Sequence, residues 1–186
     1  FITILGSAGV AIGLSLQGSL SNFAGGILIL ILKPFVVGDY VSVCGCEGTV
    51  AVISLFYTTL HTVDNRNVVL PNGSLSNSNI TNYSANEIRR VDMSVDVGYG
   101  SDLKKAREVI MDILNQDERI LKDPAPIVAV DNLGDSGVNV LIRPWVKCED
   151  YWAVKWSVLE AVHNRLNAEQ IDIPFPQMTV HLDQNS

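Results

Sequence analysis

The chain has 186 residues, with 20 Asp and Glu against 13 Lys and Arg, for a net charge of −7. That balance argues against nucleic-acid binding, which needs a basic footprint. The three cysteines, Cys44, Cys46 and Cys148, do not form a disulfide framework and fit unpaired thiols or a reduced compartment.

All charged side chains lie beyond Leu32, so Phe1 to Leu32 form an uncharged run. An apolar stretch longer than about 18 residues is a candidate transmembrane helix. At about 100° per residue, Thr3, Ser7, Val10, Leu14, Gln17 and Ser21 form one stripe, polar at both ends and apolar at Val10 and Leu14. Gly6, Gly9 and Gly13 flank it on one side, and Ala8, Ala11 and Ser15 on the other. Small residues in membrane helices mark close helix–helix packing. Two small flanks around a mixed stripe predict a ring of such helices around a pore. A plain anchor needs hydrophobicity only, and a signal peptide would need a basic start. The whole run would far overreach a hydrocarbon core of about 30 Å, so a break is expected at Gly18, with Lys33-Pro34 ending the second half. The chain opens without Met, so further protein is expected before Phe1.

From Pro34 to about Ser84 the pattern is all-β. Asp39–Val43 alternates, Glu47-Gly48 reads as a turn into Thr49–Ser54, and Tyr57–Val63 and Val68–Leu70 are separated by an Asp64–Asn67 turn. Several short strands at this spacing predict a small barrel. Val91–Val97 then reads as a strand. Ser101 is the expected cap of a helix whose face is Leu103, Ala106, Ile110, Ile113 and Leu114. Ile127–Val130 and Val138–Ile142 are strands around a Gly134–Gly137 hairpin. Asp150 precedes a helix with Trp152, Trp156, Leu159, Val162 and Leu166 at helical spacing, and Met178–Leu182 is a last strand. The βαββαβ order predicts an α+β sandwich.

The run Gly13–Asn22, then Lys33-Pro34-Phe35, Gly38–Val41, Leu70–Gly73 and Pro174–Met178 resemble the small-conductance mechanosensitive channels, the MscS family. The resemblance spreads over the full length with its motifs in order. It implies a pore-lining membrane helix with a glycine break (residues 1–33), a small Sm/SH3-like β barrel (34–85), an α+β sandwich (86–176) and a short C-terminal strand forming an intersubunit barrel (177–186). It also implies a homoheptamer in the lipid bilayer of the inner (plasma) membrane, with the soluble domains cytoplasmic. Membrane tension would open it, passing ions and small solutes on hypo-osmotic shock.

By this resemblance Val10 and Leu14 are the apolar gate rings, which block ions by dewetting. Thr3, Ser7, Gln17 and Ser21 line the pore. Gly6, Gly9 and Gly13 slide against Ala8 and Ala11 of a neighbour, and Gly18 is the hinge. Asn22 lies close to the turn holding Asn72, where a hydrogen bond would couple cage to pore. Asn72, beside Pro71 and Gly73, also reads simply as a turn residue.

The chain departs from the usual pattern at three places. Val10 stands where leucine is common, which predicts a constriction easier to wet. Ser7 and Ser15 replace alanine, and Cys44 and Cys46 occupy a turn where glycines are common. The sequons at Asn72, Asn79 and Asn82 read as chance under a cytoplasmic placement.

Other chemistry is weak in the sequence. Cys44-Gly45-Cys46 lacks a second ligand pair for zinc. His61, His163 and His181 are dispersed and read as structural or surface. No convergent acid, base or nucleophile set stands out, so neither enzymatic activity nor a cofactor or metal is expected. The alternative to a channel is a membrane-anchored oligomeric ligand-binding module without conductance, which would tolerate bulk at Gly9 or Gly13.

Overall fold

The computed structural model describes residues 2–180, and the chain divides into two units, Phe1–Asn86 and Glu87–Ser186.

The first unit opens with α1 (Ile2–Leu32). The helix continues through Gly18, where the sequence predicts a glycine break. Glycine lowers helix propensity by about 1 kcal/mol relative to alanine but keeps its N–H and C=O. Lys33, at φ 48°, ends the helix. There follow β1 (Tyr40–Val43), β2 (Cys46–Ile53), β3 (Tyr57–His61), β4 (Asn67–Pro71), the short α2 (Asn72–Ser76) and β5 (Ile80–Asn82). They form one antiparallel sheet in the order β4-β3-β2-β1-β5, the strands expected of a small Sm/SH3-like barrel. A bulge between Val50 and Val52 bends β2. Ile29, Phe35, Val41, Val43, Val50, Leu60 and Leu75 fill the core.

The turn expected at Glu47-Gly48 lies three residues earlier. Val43 pairs with Cys46, and Cys44 (φ 51°) and Gly45 (φ 74°) close the hairpin. Two successive residues at positive φ make the type I′ turn that matches strand twist. Gly48 belongs inside β2, where a Cβ would meet the His61 carbonyl oxygen at 2.5 Å.

The second unit contains β6 (Ile88–Arg90), β7 (Met93–Val97), α3 (Leu103–Gln116), β8 (Ile127–Leu133), β9 (Val138–Arg143), β10 (Trp145–Lys147) and α4 (Tyr151–Ala168). Its strands form a sheet β7-β9-β8 and a pair β10-β6, all antiparallel. Ala106, Ile110 and Leu114 of α3 and Val154, Val158, Val162 and Leu166 of α4 share one core with Val97, Val140 and Ile142.

Two expectations are corrected here. The α3 cap is Asp102, whose carboxylate accepts from the Lys104 and Lys105 amides at 2.9 and 3.1 Å. Ser101 Oγ instead accepts from the Asp172 amide at 3.1 Å. On α4 the buried stripe begins at Tyr151 and Val154, while Trp152 and Trp156 stand 49% and 64% exposed. Both stripes obey the i, i+4 spacing, so periodicity alone did not choose between them. The short C-terminal strand expected to join an intersubunit barrel would pair with other copies of the chain; within this one chain Met178–Val180 are not in a strand, and His181 and Leu182 lie outside the described residues.

Candidate functional site: the seat of the apolar helix

The second half of α1 is shaped to lie against backbone. Ser21, Asn22, Gly25, Gly26 and Ile29 fall on one side at helical spacing. Gly25, Gly26 and Ile29 are buried there, in contrast to Gly6–Leu20, all exposed. A Cβ on Gly25 would stand 2.5 Å from the Asn72 carbonyl oxygen, and one on Gly26 would run into the Leu55 carbonyl. From the other side, a Cβ on Gly73 would meet Ser21 Oγ at 2.7 Å. Glycine permits this approach because it presents no side chain. Phe23 leans on Phe56, their ring centroids 6.0 Å apart.

Two asparagines finish the junction. Asn22 Oδ1 accepts the Gly73 amide at 3.0 Å, tying α1 to the first turn of α2. Asn72 is fully buried. Its Oδ1 accepts from Thr58 Oγ1 at 2.8 Å and its Nδ2 donates to the Ser54 carbonyl at 2.8 Å. Its amide N–H donates to the Phe56 carbonyl at 2.9 Å. Asn72 therefore shapes the loop on which α1 sits, while Asn22 binds the backbone of Gly73 rather than the Asn72 side chain.

From Gly6 to Leu20 every residue of α1 is exposed. Thr3, Ser7, Ala8, Ala11, Gln17 and Ser21 are exposed, and Val10 and Leu14 stand 63% and 67% exposed. A Cβ on Gly6, Gly9, Gly13 or Gly18 would find open space. Ser7 Oγ bonds back to the Ile4 carbonyl at 2.9 Å, which satisfies its hydroxyl within the helix. Gly6–Leu32 is long and apolar enough to cross a membrane.

Sequence reasoning missed Gly25, Gly26 and the Asp39 carboxylate. Asp39 Oδ2 accepts the Val36 amide and Asn82 Nδ2, both at 2.8 Å, and Oδ1 accepts Ser84 Oγ at 3.4 Å. It thereby joins the segment leaving α1 to the end of β5. The Gly25-Gly26 pair inside an apolar helix was the available signal for a second close approach.

Several ionisable groups of the second unit form ion pairs. Asp117 takes a two-pronged contact from Arg119, whose Nη2 also donates to Ser157 Oγ at 2.8 Å. The hydrogen bonds from Arg119 hold the Asp117 carboxyl below its usual range, as Arg90 does for Asp92. His163 engages Asn164 and Asn167 at an exposed site, and His61 is exposed. Among the described residues, no three His, Cys, Asp or Glu side chains converge on a metal position.

One helix long and apolar enough to cross a membrane, seated by its second half on a β domain and followed by a separate α+β unit, defines the class of fold. Residues 18–85 match the family described as mechanosensitive ion channel, beta-domain, and residues 91–173 match mechanosensitive ion channel MscS, C-terminal. The chain is 44% identical over 183 residues to an uncharacterized MscS family protein of Synechocystis, covering 98% of this chain and 62% of that one. It is 43% identical to a small-conductance mechanosensitive channel of Edwardsiella ictaluri, covering 96% and 62%. Helicobacter pylori MscS, solved in its closed state, superposes with a TM-score of 0.93 at 38% identity, covering 99% of this chain and 73% of that one. Arabidopsis thaliana MSL1 shares the fold, with a TM-score of 0.78 at 21% identity over 92% of this chain. The chain belongs to the MscS family of mechanosensitive channels. It spans about 62% of the length of the Synechocystis and Edwardsiella relatives.

Proposed function

We propose that this chain carries the pore helix and soluble body of a channel opened by membrane tension, passing ions and small solutes on hypo-osmotic shock. One observation carries the reading. The uncharged first half of α1 keeps four glycines, Gly6, Gly9, Gly13 and Gly18, that face nothing within the chain. Each lowers helix propensity by about 1 kcal/mol relative to alanine. Close packing between copies of the helix in a membrane accounts for them.

In this reading a homoheptamer in the inner membrane, its soluble units cytoplasmic, surrounds a pore lined by Thr3, Ser7, Gln17 and Ser21. Val10 and Leu14 form apolar rings that exclude ions by dewetting. Gly6, Gly9 and Gly13 pass Ala8 and Ala11 of the neighbouring copy, with Gly18 as hinge. The seat at Asn22, Gly73 and Asn72 couples the soluble body to the pore. Tension favours whichever conformer occupies more membrane area, a population shift driven by differential work.

Patch recording of the complete gene product in liposomes under graded suction tests the reading. Stepwise currents that grow with tension are expected, with Val10→Leu changing closed-state leak or conductance. Silence up to patch rupture, with insertion demonstrated, would overturn it in favour of a membrane-anchored binding module.

A further inference from the structure

The β1–β2 turn carries a feature that neither packing nor turn chemistry explains. Cys44 occupies the first central position of a type I′ turn at φ 51°, a place that favours Asn, Asp or Gly. A cysteine there gains no conformational advantage, and such outliers point toward function. A second thiol, Cys46, follows across Gly45 (φ 74°). Cys44 is exposed, while Cys46 is half-buried and packs on the edge of the core. Two residues separated by one lie roughly 5–7 Å apart at Cα, a reach that overlaps the range a disulfide spans.

The surroundings give Cys44 a specific partner. Ser78 Oγ donates its proton to the Ser74 carbonyl at 2.7 Å. The 3.3 Å contact between Cys44 Sγ and Ser78 Oγ therefore uses the thiol as donor. Ser74 lies in α2, one residue after Gly73, whose amide binds Asn22. The thiol is thus linked through Ser78, just past the end of α2, to the short helix that seats α1.

We propose that Cys44 and Cys46 form a redox pair that closes to a disulfide by exchange with a small-molecule disulfide, releasing Cys44 from Ser78. The exposed Cys44 thiol loses its proton, and its sulfur attacks one sulfur of the small disulfide. That S–S bond breaks and one small thiolate leaves. The Cys46 sulfur then attacks Cys44 Sγ in the mixed disulfide, and the second small thiolate leaves. Both cysteines are oxidised, one small disulfide is reduced to two thiols, and the two cysteine protons go to the departing thiolates. The S–H donor to Ser78 disappears, so the end of α2 loses a tie. Any effect on currents rests on the channel reading above; the chemical readout does not.

The test uses the complete gene product in liposomes, equilibrated across ratios of glutathione disulfide to glutathione, alkylated and digested for mass spectrometry. At oxidising ratios the peptide holding both cysteines should be lighter by two hydrogen atoms and resist alkylation, and reduction should restore it. Cys46→Ser should stop the reaction at Cys44 carrying one glutathione, while Cys148→Ser should change nothing. Hydrogen exchange across residues 72–78 should rise in the oxidised protein. Full alkylation of both thiols at every ratio, or a glutathione adduct as the sole product of the parent chain, would overturn the pair. Unchanged exchange with the disulfide formed would overturn the link to α2.

Discussion

Within the single helix α1, Gly6, Gly9, Gly13 and Gly18 face open space, whereas Gly25 and Gly26 are pressed on the backbone of Asn72 and Leu55. Both halves are uncharged and rich in small residues, yet only the second is accounted for by its own chain. The same residue type therefore serves two different contacts. In the second half, glycine lets a helix lie on a loop of the same subunit. In the first, it leaves an open surface, and this contrast motivates the pore reading.

Loading each half with bulk gives the largest expected effect. Gly26→Leu forces a side chain into the Leu55 carbonyl and should lower the stability of the first unit by about 3 kcal/mol, the scale of severe overpacking. Gly9→Leu should leave that stability intact while abolishing tension-gated current. Thermal melts of both variants beside patch recordings separate the two; equal destabilisation would erase the comparison.

Next in size, Asn72→Ala leaves the Thr58 hydroxyl and the Ser54 carbonyl without their buried partner. It should reduce stability by about 2 kcal/mol, read as a shift in denaturant midpoint. In the open half, Leu14→Ser should make the apolar ring easier to wet. Open probability at a fixed sub-threshold tension should rise about tenfold, equivalent to about 1.4 kcal/mol, and single-channel recording gives the answer directly. Asn22→Ala removes the acceptor of the Gly73 amide at a half-buried position, worth about 1 kcal/mol. Its expected signature is altered recovery from inactivation with faster exchange of the Gly73 amide.

The smallest effect lies in the second unit and serves as a control away from α1. The Asp117 carboxyl is held below its ordinary range by Arg119. A depressed carboxyl stabilises the fold above its unfolded-state pKa, about 4 for aspartate. That stability is lost as pH falls through the lower folded-state value. Arg119→Ala should therefore lower stability by less than about 1 kcal/mol at neutral pH. The difference should fade in acid below about pH 4 and leave gating untouched.

Much of this molecule is legible from local pattern. The uncharged run announced α1, and period-two alternation marked β1 and β7. The apolar face of α3 followed from its 3.6-residue repeat, because burial on one side imposes that repeat. Short elements such as β5, β6, β10 and α2 escaped, since three to five residues cannot establish a period. For α4 two stripes were equally periodic, and the choice of Val154 over Trp152 depended on which face met the sheet.

The sequence by itself determined the membrane-length helix, the two kinds of soluble unit and the family motifs, because composition, spacing and turn chemistry are local properties. Only the tertiary structure decided that Asn22 binds the Gly73 amide, that Asn72 is spent on Thr58 and Ser54, and that Gly25 and Gly26 are close-approach sites. Those hydrogen bonds join residues 14, 18 and 51 positions apart. Their partners are set by how the sheet and α2 place one loop under the helix, and no local repeat in the chain encodes those distances.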